Sequence, residues 1–468
     1  MLLRLVTIAA VSACAATAIA QQVMSAHTLI EAIKQHGSSG TSIEPAGTPV
    51  PMWMSSHGNW NFMLHGNAFV ANTQQQANSP RNRDAFFSTN WVMPMAQHAL
   101  RSNGQITLRA MFSLEPATIS NRNYPELFQQ GETAYGAPIV DGQHPHDFFM
   151  EVAALYDLKL SPNTLLSFYA APVGDPAIGP TAYPHRLSAS ENPIAALGHH
   201  QMDSTHIAFN VLTGGLTYRW ARLELSGFHG AEPTEDRWHF APSPNGHAID
   251  SVSTRLTVSP SADWTGQYSI AHIVSPEALY PHEDQQRQTA SVMYHHTFRS
   301  KPMPPIKMGD MAGMSGMDMS GSDQHTQSGN QSMASMDMTP EPITDLATTL
   351  VWGRTRSLSD NSKENSYLGE ALLRFASRNY VWTRIENAGR SNELELTPGS
   401  SLPEGFVESP IGHVAAFTFG YDHDFALGPH LLAAPGAQFT VYRTPAALRS
   451  HYGETPTAEQ FFLRFRVR

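Results

Sequence analysis

The stretch FFMEVAALYDL, residues 148–158, decides how this chain folds. Its even positions, Phe148, Met150, Val152, Ala154, Tyr156 and Leu158, are all apolar, while the odd ones include Glu151 and Asp157. A period of two with one wholly apolar face is a strand signal, and carboxylates on the other face give that strand a wet side.

The same pattern recurs on either side. Trp264, Tyr268 and Ile270 share a face with Gly266, opposite Thr265, Gln267 and Ser269. Tyr367, Gly369, Ala371, Leu373 and Phe375 alternate with a row holding Glu370 and Arg374, and Phe417, Phe419 and Tyr421 alternate with Ala416, Thr418 and Gly420. The final run FFLRFRVR, 461–468, is apolar at odd positions and, from Arg464 on, basic at even ones. Short and long connections alternate between these strands, as expected of a barrel with tight turns at one membrane face and long loops at the other. Counting strands between them predicts an all-β fold, a transmembrane antiparallel up-and-down barrel of about sixteen strands. Glu151, Asp157, Glu370 and Arg374 should line its lumen, and both termini should be periplasmic.

Composition agrees. Charged residues make up 15% of the chain, below the roughly 25% usual for soluble proteins. With a net charge of -11, nothing in the composition points to nucleic acid as a partner. Residues 1–20 read as an export signal: Arg4, an apolar run, then Ala18-Ile19-Ala20 as a cleavage site. Cys14, the one cysteine, falls inside it, so cleavage after Ala20 leaves neither disulfide nor thiolate site. Val11-Ser12-Ala13-Cys14 also resembles a lipoprotein-type cleavage box, which would leave a lipidated Cys14 as the first residue. The expected organisation is then a periplasmic extension over 21–58, opening with a short amphipathic helix near 26–33, and an outer-membrane barrel over 59–468. A Met-rich low-complexity loop over 299–344 interrupts the barrel. The assembly partners expected are outer-membrane lipid and the barrel assembly machinery.

That interruption is the chemical anomaly. Nine of the 20 methionines lie between Met303 and Met338, spaced by Gly, Ser, Asp and Ala. The segment has no aromatic residue and few branched aliphatics, so alone it should be disordered. Thioethers are soft ligands suited to Cu(I) that do not titrate. Met308, Met311, Met314, Met317, Met319, Met333, Met336 and Met338 are therefore candidate ligands for Cu(I) or Ag(I), with Asp310, Asp318 and Asp337 adding favourable charge. Strand parity puts this loop where a short periplasmic turn is due.

Histidine is the second anomaly, at 23 residues. QHPHD (143–147) carries His144 and His146; HHQMDSTH (199–206) carries His199 and His200. Imidazole beside carboxylate suits Zn(II) or Cu(II), which makes these four candidate metal ligands, although loop histidines more often serve as hydrogen-bonding pegs. The 171–203 loop, rich in Gly and Pro, reads as an ordered external loop folded into the barrel mouth or as a constriction. No phosphate loop, nucleophile elbow or zinc-protease helix occurs, so no enzyme is expected and no cofactor is required.

Blocks such as STNWVMPMAQ (88–97), DGQHPHDFFMEVAALY (141–156), APVGDPAIGPTAYPHRLSASENP (171–193) and FHGAEPTEDRW (228–238) resemble a family of uncharacterised bacterial outer-membrane proteins. The run MGDMAGMSGMDM (308–319) resembles the Met-rich tracts of copper-resistance outer-membrane proteins and periplasmic copper carriers, in which the outer-membrane tract usually precedes the barrel. The resemblance implies Cu(I) capture and periplasmic copper proteins as partners. The first functional expectation is thus a non-enzymatic barrel that contributes to copper tolerance or transport. Its alternatives are a general porin or small-solute channel carrying a tolerated insertion and, more weakly, an outer-membrane enzyme or adhesion protein.

Overall fold

The computed structural model describes residues 23–24, 26–119, 123–203, 208–230, 235–240, 247–277, 279, 282–298 and 343–468. Its frame is one closed antiparallel sheet of eighteen segments; two are short edge pieces, Trp53–His57 and Phe425–Ala426, which leaves sixteen wall strands. In chain order they are β1 Trp60–Gln76, β2 Asp84–Leu100, β3 Gly104–Phe112, β4 Phe149–Ser161, β5 Thr164–Val173, β6 Ala208–Tyr218, β7 Ala221–Gly230 and β8 Ser251–Ser261. The ring continues with β9 Trp264–Ile273, β10 Gln285–Phe298, β11 Thr344–Ser357, β12 Lys363–Phe375, β13 Asn379–Ser391, β14 Pro410–His423, β15 Leu431–Arg443 and β16 Thr457–Val467. Each strand pairs with the next, and β16 closes on β1 through registers such as Leu463↔Val70. Closure satisfies every wall strand on both edges, which a bilayer demands of any spanning sheet.

The alternation read in the sequence sorts as expected. Leu225 and Phe419 stand 65% and 64% exposed on the outer face, whereas Arg464 is fully buried within. Outward Leu212, Leu223, Leu256, Leu350 and Ile385 continue an apolar band that water would not tolerate at this extent. Exposed Tyr218, Trp220, Trp264, Phe298, Phe375 and Tyr421 cluster at or beside the tight turns, as an interfacial aromatic girdle does. Among the described residues no helix is long and apolar enough to cross a membrane.

Because strands alternate in direction, Phe298 and Thr344 share the short-turn end with residues 101–103, 162–163 and both ends of the wall. That end matches the strand count, while the Met-rich stretch between the two residues lies outside the described residues. The 21–58 segment differs from the expectation of an extension beyond the wall. Its helix α1, Leu29–Gln35, is capped by Thr28 and packs Leu29, Ile30 and Ile33 on Leu165, an inward residue of β5. Residues 29–44 therefore enter the lumen, drawn by an apolar helix face and by wall cations that need acceptors, while Trp53–His57 joins the sheet beside β1.

Candidate functional site: a filled lumen with two ligand clusters

Three pieces of chain reach into the interior: the N-terminal segment, the β5–β6 connection, and the β3–β4 connection, whose Phe128 carbonyl accepts from Arg390 of β13 at 2.6 Å. The first is the N-terminal segment. Arg109 of β3 donates to Glu151 at 2.7 Å and to the backbone carbonyls of His36, Ser38 and Gly40. Gly40 N–H donates in return to Glu151 at 2.9 Å, and His36 Nε2 meets Asp157 at 2.7 Å. Buried guanidinium and carboxylate are costly unless fully bonded, and a Gly- and Pro-rich backbone supplies the missing acceptors.

The second is the connection between β5 and β6, described as far as Asp203. Arg186 reaches Glu370 of β12 at 2.8 Å, and Glu370 also binds Arg384 of β13 at 2.9 Å. Glu191 joins Arg464 and Arg466 of β16 at 2.6 and 2.7 Å. Burial alone would raise the Glu191 carboxyl, but the two guanidinium groups outweigh it and hold it below the usual range. The loop is an internal crosspiece, as its small-residue composition allowed.

Between the N-terminal segment and β1–β3 lies a methionine cluster that the sequence reading missed. Met52, Met63, Met93, Met95 and Met111 are buried together, with Met54, Met150 and Trp91 against them. His185 Nε2 is 3.3 Å from Met111 Sδ, and the Trp91 ring stands 4.4 and 4.7 Å from the rings of His185 and His65. Neither His65 Nδ1 nor His185 Nδ1 finds a hydrogen-bond partner among the described residues. A cavity of about 90 Å³ reaches His65, Trp91 and His185. Burial, followed by the neighbouring His65, holds His185 well below the ordinary imidazole range, so its ring is neutral. A signal for this cluster exists in inward-parity pairs, Met63 with His65 and Met93 with Met95, on adjacent strands.

The second cluster gathers three of the four histidines singled out above. His144 and Glu132 belong to the connection between β3 and β4, and His199 and His200 to the one between β5 and β6. Glu132 Oε1 lies 3.2 Å from His200 Nε2 and 3.7 Å from His144 Nε2. One ligand atom from each of Glu132, His199 and His200 falls within 4.8 Å of the others. His146 stands apart, with Nδ1 2.8 Å from Glu115; burial opposes its charge, but Glu115 prevails and raises its pKa. Glu132 carried no local motif, because its partners come together only when two loops fold inward.

The class defined by these features is an up-and-down transmembrane barrel whose lumen is crossed by its own chain. No protein-family model and no curated protein matches the sequence. Similar solved structures include an anion-selective porin from Comamonas acidovorans, 10% identical over 87% of this chain and 99% of that one, with a TM-score of 0.47. Salmonella typhi OmpF, in complex with daunomycin, is 7% identical over 88% and 100%, at 0.47. Pseudomonas putida OprB is 9% identical over 87% and 94%, at 0.45. The likeness is one of barrel shape, and activity has to be read from this chain's own residues.

Proposed function

We propose that the protein is a non-enzymatic outer-membrane barrel that takes up Cu(I) or Ag(I) at its short-turn end and so contributes to copper tolerance or transport. The observation that carries this reading is the contact of His185 with Met111 inside a ring of buried methionines. Methionine is a poor choice for fixing a wall, because its three rotatable bonds specify packing weakly. Thioether and neutral imidazole together form a soft donor set for a monovalent ion, and the Trp91 face adds cation–π attraction.

The Met-rich stretch leaves the wall between Phe298 and Thr344, at the end where β1 carries Met63 and His65. In this reading Met308, Met311, Met314, Met317, Met319, Met333, Met336 and Met338 gather the ion on the periplasmic side and pass it to the lumenal cluster. A lumen crossed by three bonded segments favours this over free diffusion of bulk solutes.

The test is Ag(I) titration of the purified full-length barrel against a competing chelator. Deleting 301–340 should lower the stoichiometry, and adding M93L, M95L and M111L should lower it further. No Ag(I) binding, or equal binding by all three proteins, overturns the reading. Large steady conductance in a planar bilayer would favour an open small-solute channel instead.

A further inference from the structure

The His–Glu cluster near the long-loop end calls for a different ion. We infer that Glu132, His144, His199 and His200 form a binding site for a borderline divalent cation of the Zn(II) or Cu(II) class, which clips two inward-folded loops together.

The donor set comes first. Glu132, His199 and His200 bring ligand atoms within 4.8 Å of one another, and His144 Nε2, 3.7 Å from Glu132 Oε1, stands beside them as a fourth donor. These are the ligand types such ions take, and four are enough for tetrahedral coordination. Ring orientation comes next. His144 Nδ1 lies 2.9 Å from the carbonyl oxygen of Pro145, and His199 Nδ1 lies 3.0 Å from that of Ala196. A carbonyl only accepts, so each Nδ1 carries the proton and each Nε2 presents its lone pair. This is the outer-shell arrangement that turns a histidine into an oriented ligand. Glu132 is fixed in the same way, accepting from the Gln143 side chain and from the His144 backbone N–H, the latter at 2.7 Å.

Access is provided too. His200 forms part of a cleft of about 300 Å³ whose walls include Glu277, Glu283, Asp360, Glu364 and Glu408 against one cation, Arg287, among the described lining residues. Acidic walls of low polarisability raise the local concentration of cations, so the cleft favours approach of a dication to the His200 side of the cluster. Glu132 and His144 precede β4 while His199 and His200 precede β6, so a bound ion would join the two connections without touching the membrane wall.

This site shares no residue with the methionine cluster. The experiment uses the full-length protein in detergent and Co(II) as an optical stand-in for Zn(II). One equivalent of Co(II) should give the intense visible d–d bands of a tetrahedral site, bleached by one equivalent of Zn(II). H199A and E132Q should each weaken binding by at least about 100-fold, on the scale of metal-site losses. H146A and the 301–340 deletion should leave the bands unchanged, which separates this site from the Met-rich loop. Heat-modifiable gel mobility and circular dichroism check that each variant remains a folded barrel. Absence of tetrahedral bands in the folded parent overturns the proposal, as does parental affinity in folded H199A and E132Q. Co(II) binding that disappears with H146A or the loop deletion also overturns it, because the ion would then sit elsewhere.

Discussion

Arg186 Nε lies 2.8 Å from Glu370 Oε2 and joins the connection after β5 to β12, seven strands round a ring of sixteen. The crosspiece is thereby bonded to the far wall. Replacing Arg186 by Ala leaves Glu370 paired with Arg384, so the wall stays balanced while the loop loses a charged anchor. Loss of that charge-assisted bond should loosen loop docking by roughly 1.5–3 kcal/mol. R186A should therefore show larger single-channel conductance than the parent with unchanged gel mobility. Parental conductance would mean that the loop does not obstruct the lumen.

Gly40 offers a way to unseat the N-terminal segment without touching the wall. Its φ is +59°, and a Cβ there would stand 2.6 Å from Asp175 Cβ. Both the left-handed backbone and the contact exclude a branched side chain. G40V should displace residues 36–44 from Arg109 and Glu151, raise conductance, and speed proteolysis of the segment while the barrel remains resistant. Equal proteolysis rates would place the anchoring elsewhere.

The same segment should respond to pH. Burial pushes Glu44 up to about 7, against the pull of Arg186, and pushes Asp175 up to about 7, helped by the neighbouring Glu151. With the segment seated, Glu44 and Asp175, the latter from the β5–β6 connection packed on Gly40, hold protons that they give up at ordinary carboxylate values near 4 once it is released. Stability falls with pH wherever the native state binds more protons, so seating is firmest below about pH 4, weakens up to about 7 and then levels off. Hydrogen exchange over 36–44, corrected for intrinsic rates, should report weaker protection at pH 7 than at pH 5. The double variant E44Q/D175N should flatten that slope; an unchanged slope would assign it to other groups.

The wall was legible because a barrel strand encodes its two faces in alternate residues. Phe461 and Leu463 face outward, Arg464 and Arg466 face inward, and the parity of hairpins puts Phe298 and Thr344 at the short-turn end. The interior was less legible. Nothing local says that the carbonyls of Ser38 and Gly40 will serve Arg109, since that bond exists only once the ring has closed. His199 and His200 stood out by type, as did His144, but the meeting of the first two with Glu132, and the 3.7 Å approach of His144 to it, depend on two loops folding to one place, which also left His146 with Glu115. The buried methionines were hidden differently: in single strands Met93 and Met95 read as ordinary apolar residues, and only their inward parity marks them.

The outer face carries the last prediction, because the membrane assignment rests on it. Leu225 stands near the middle of β7 and is 65% exposed, among Leu223, Leu212 and Leu256. If lipid covers this band, an arginine there must bring its charge into the hydrocarbon, at a cost of roughly 2–4 kcal/mol near the midplane. In water the same substitution would cost almost nothing, because an exposed leucine gains little from its surroundings. L225R should therefore lower the urea midpoint of the barrel in phospholipid vesicles, while the equivalent change at Thr457, beside the long-loop end of β16, should cost far less. Stability equal to that of the parent in vesicles would remove lipid from the outer face and, with it, the outer-membrane reading.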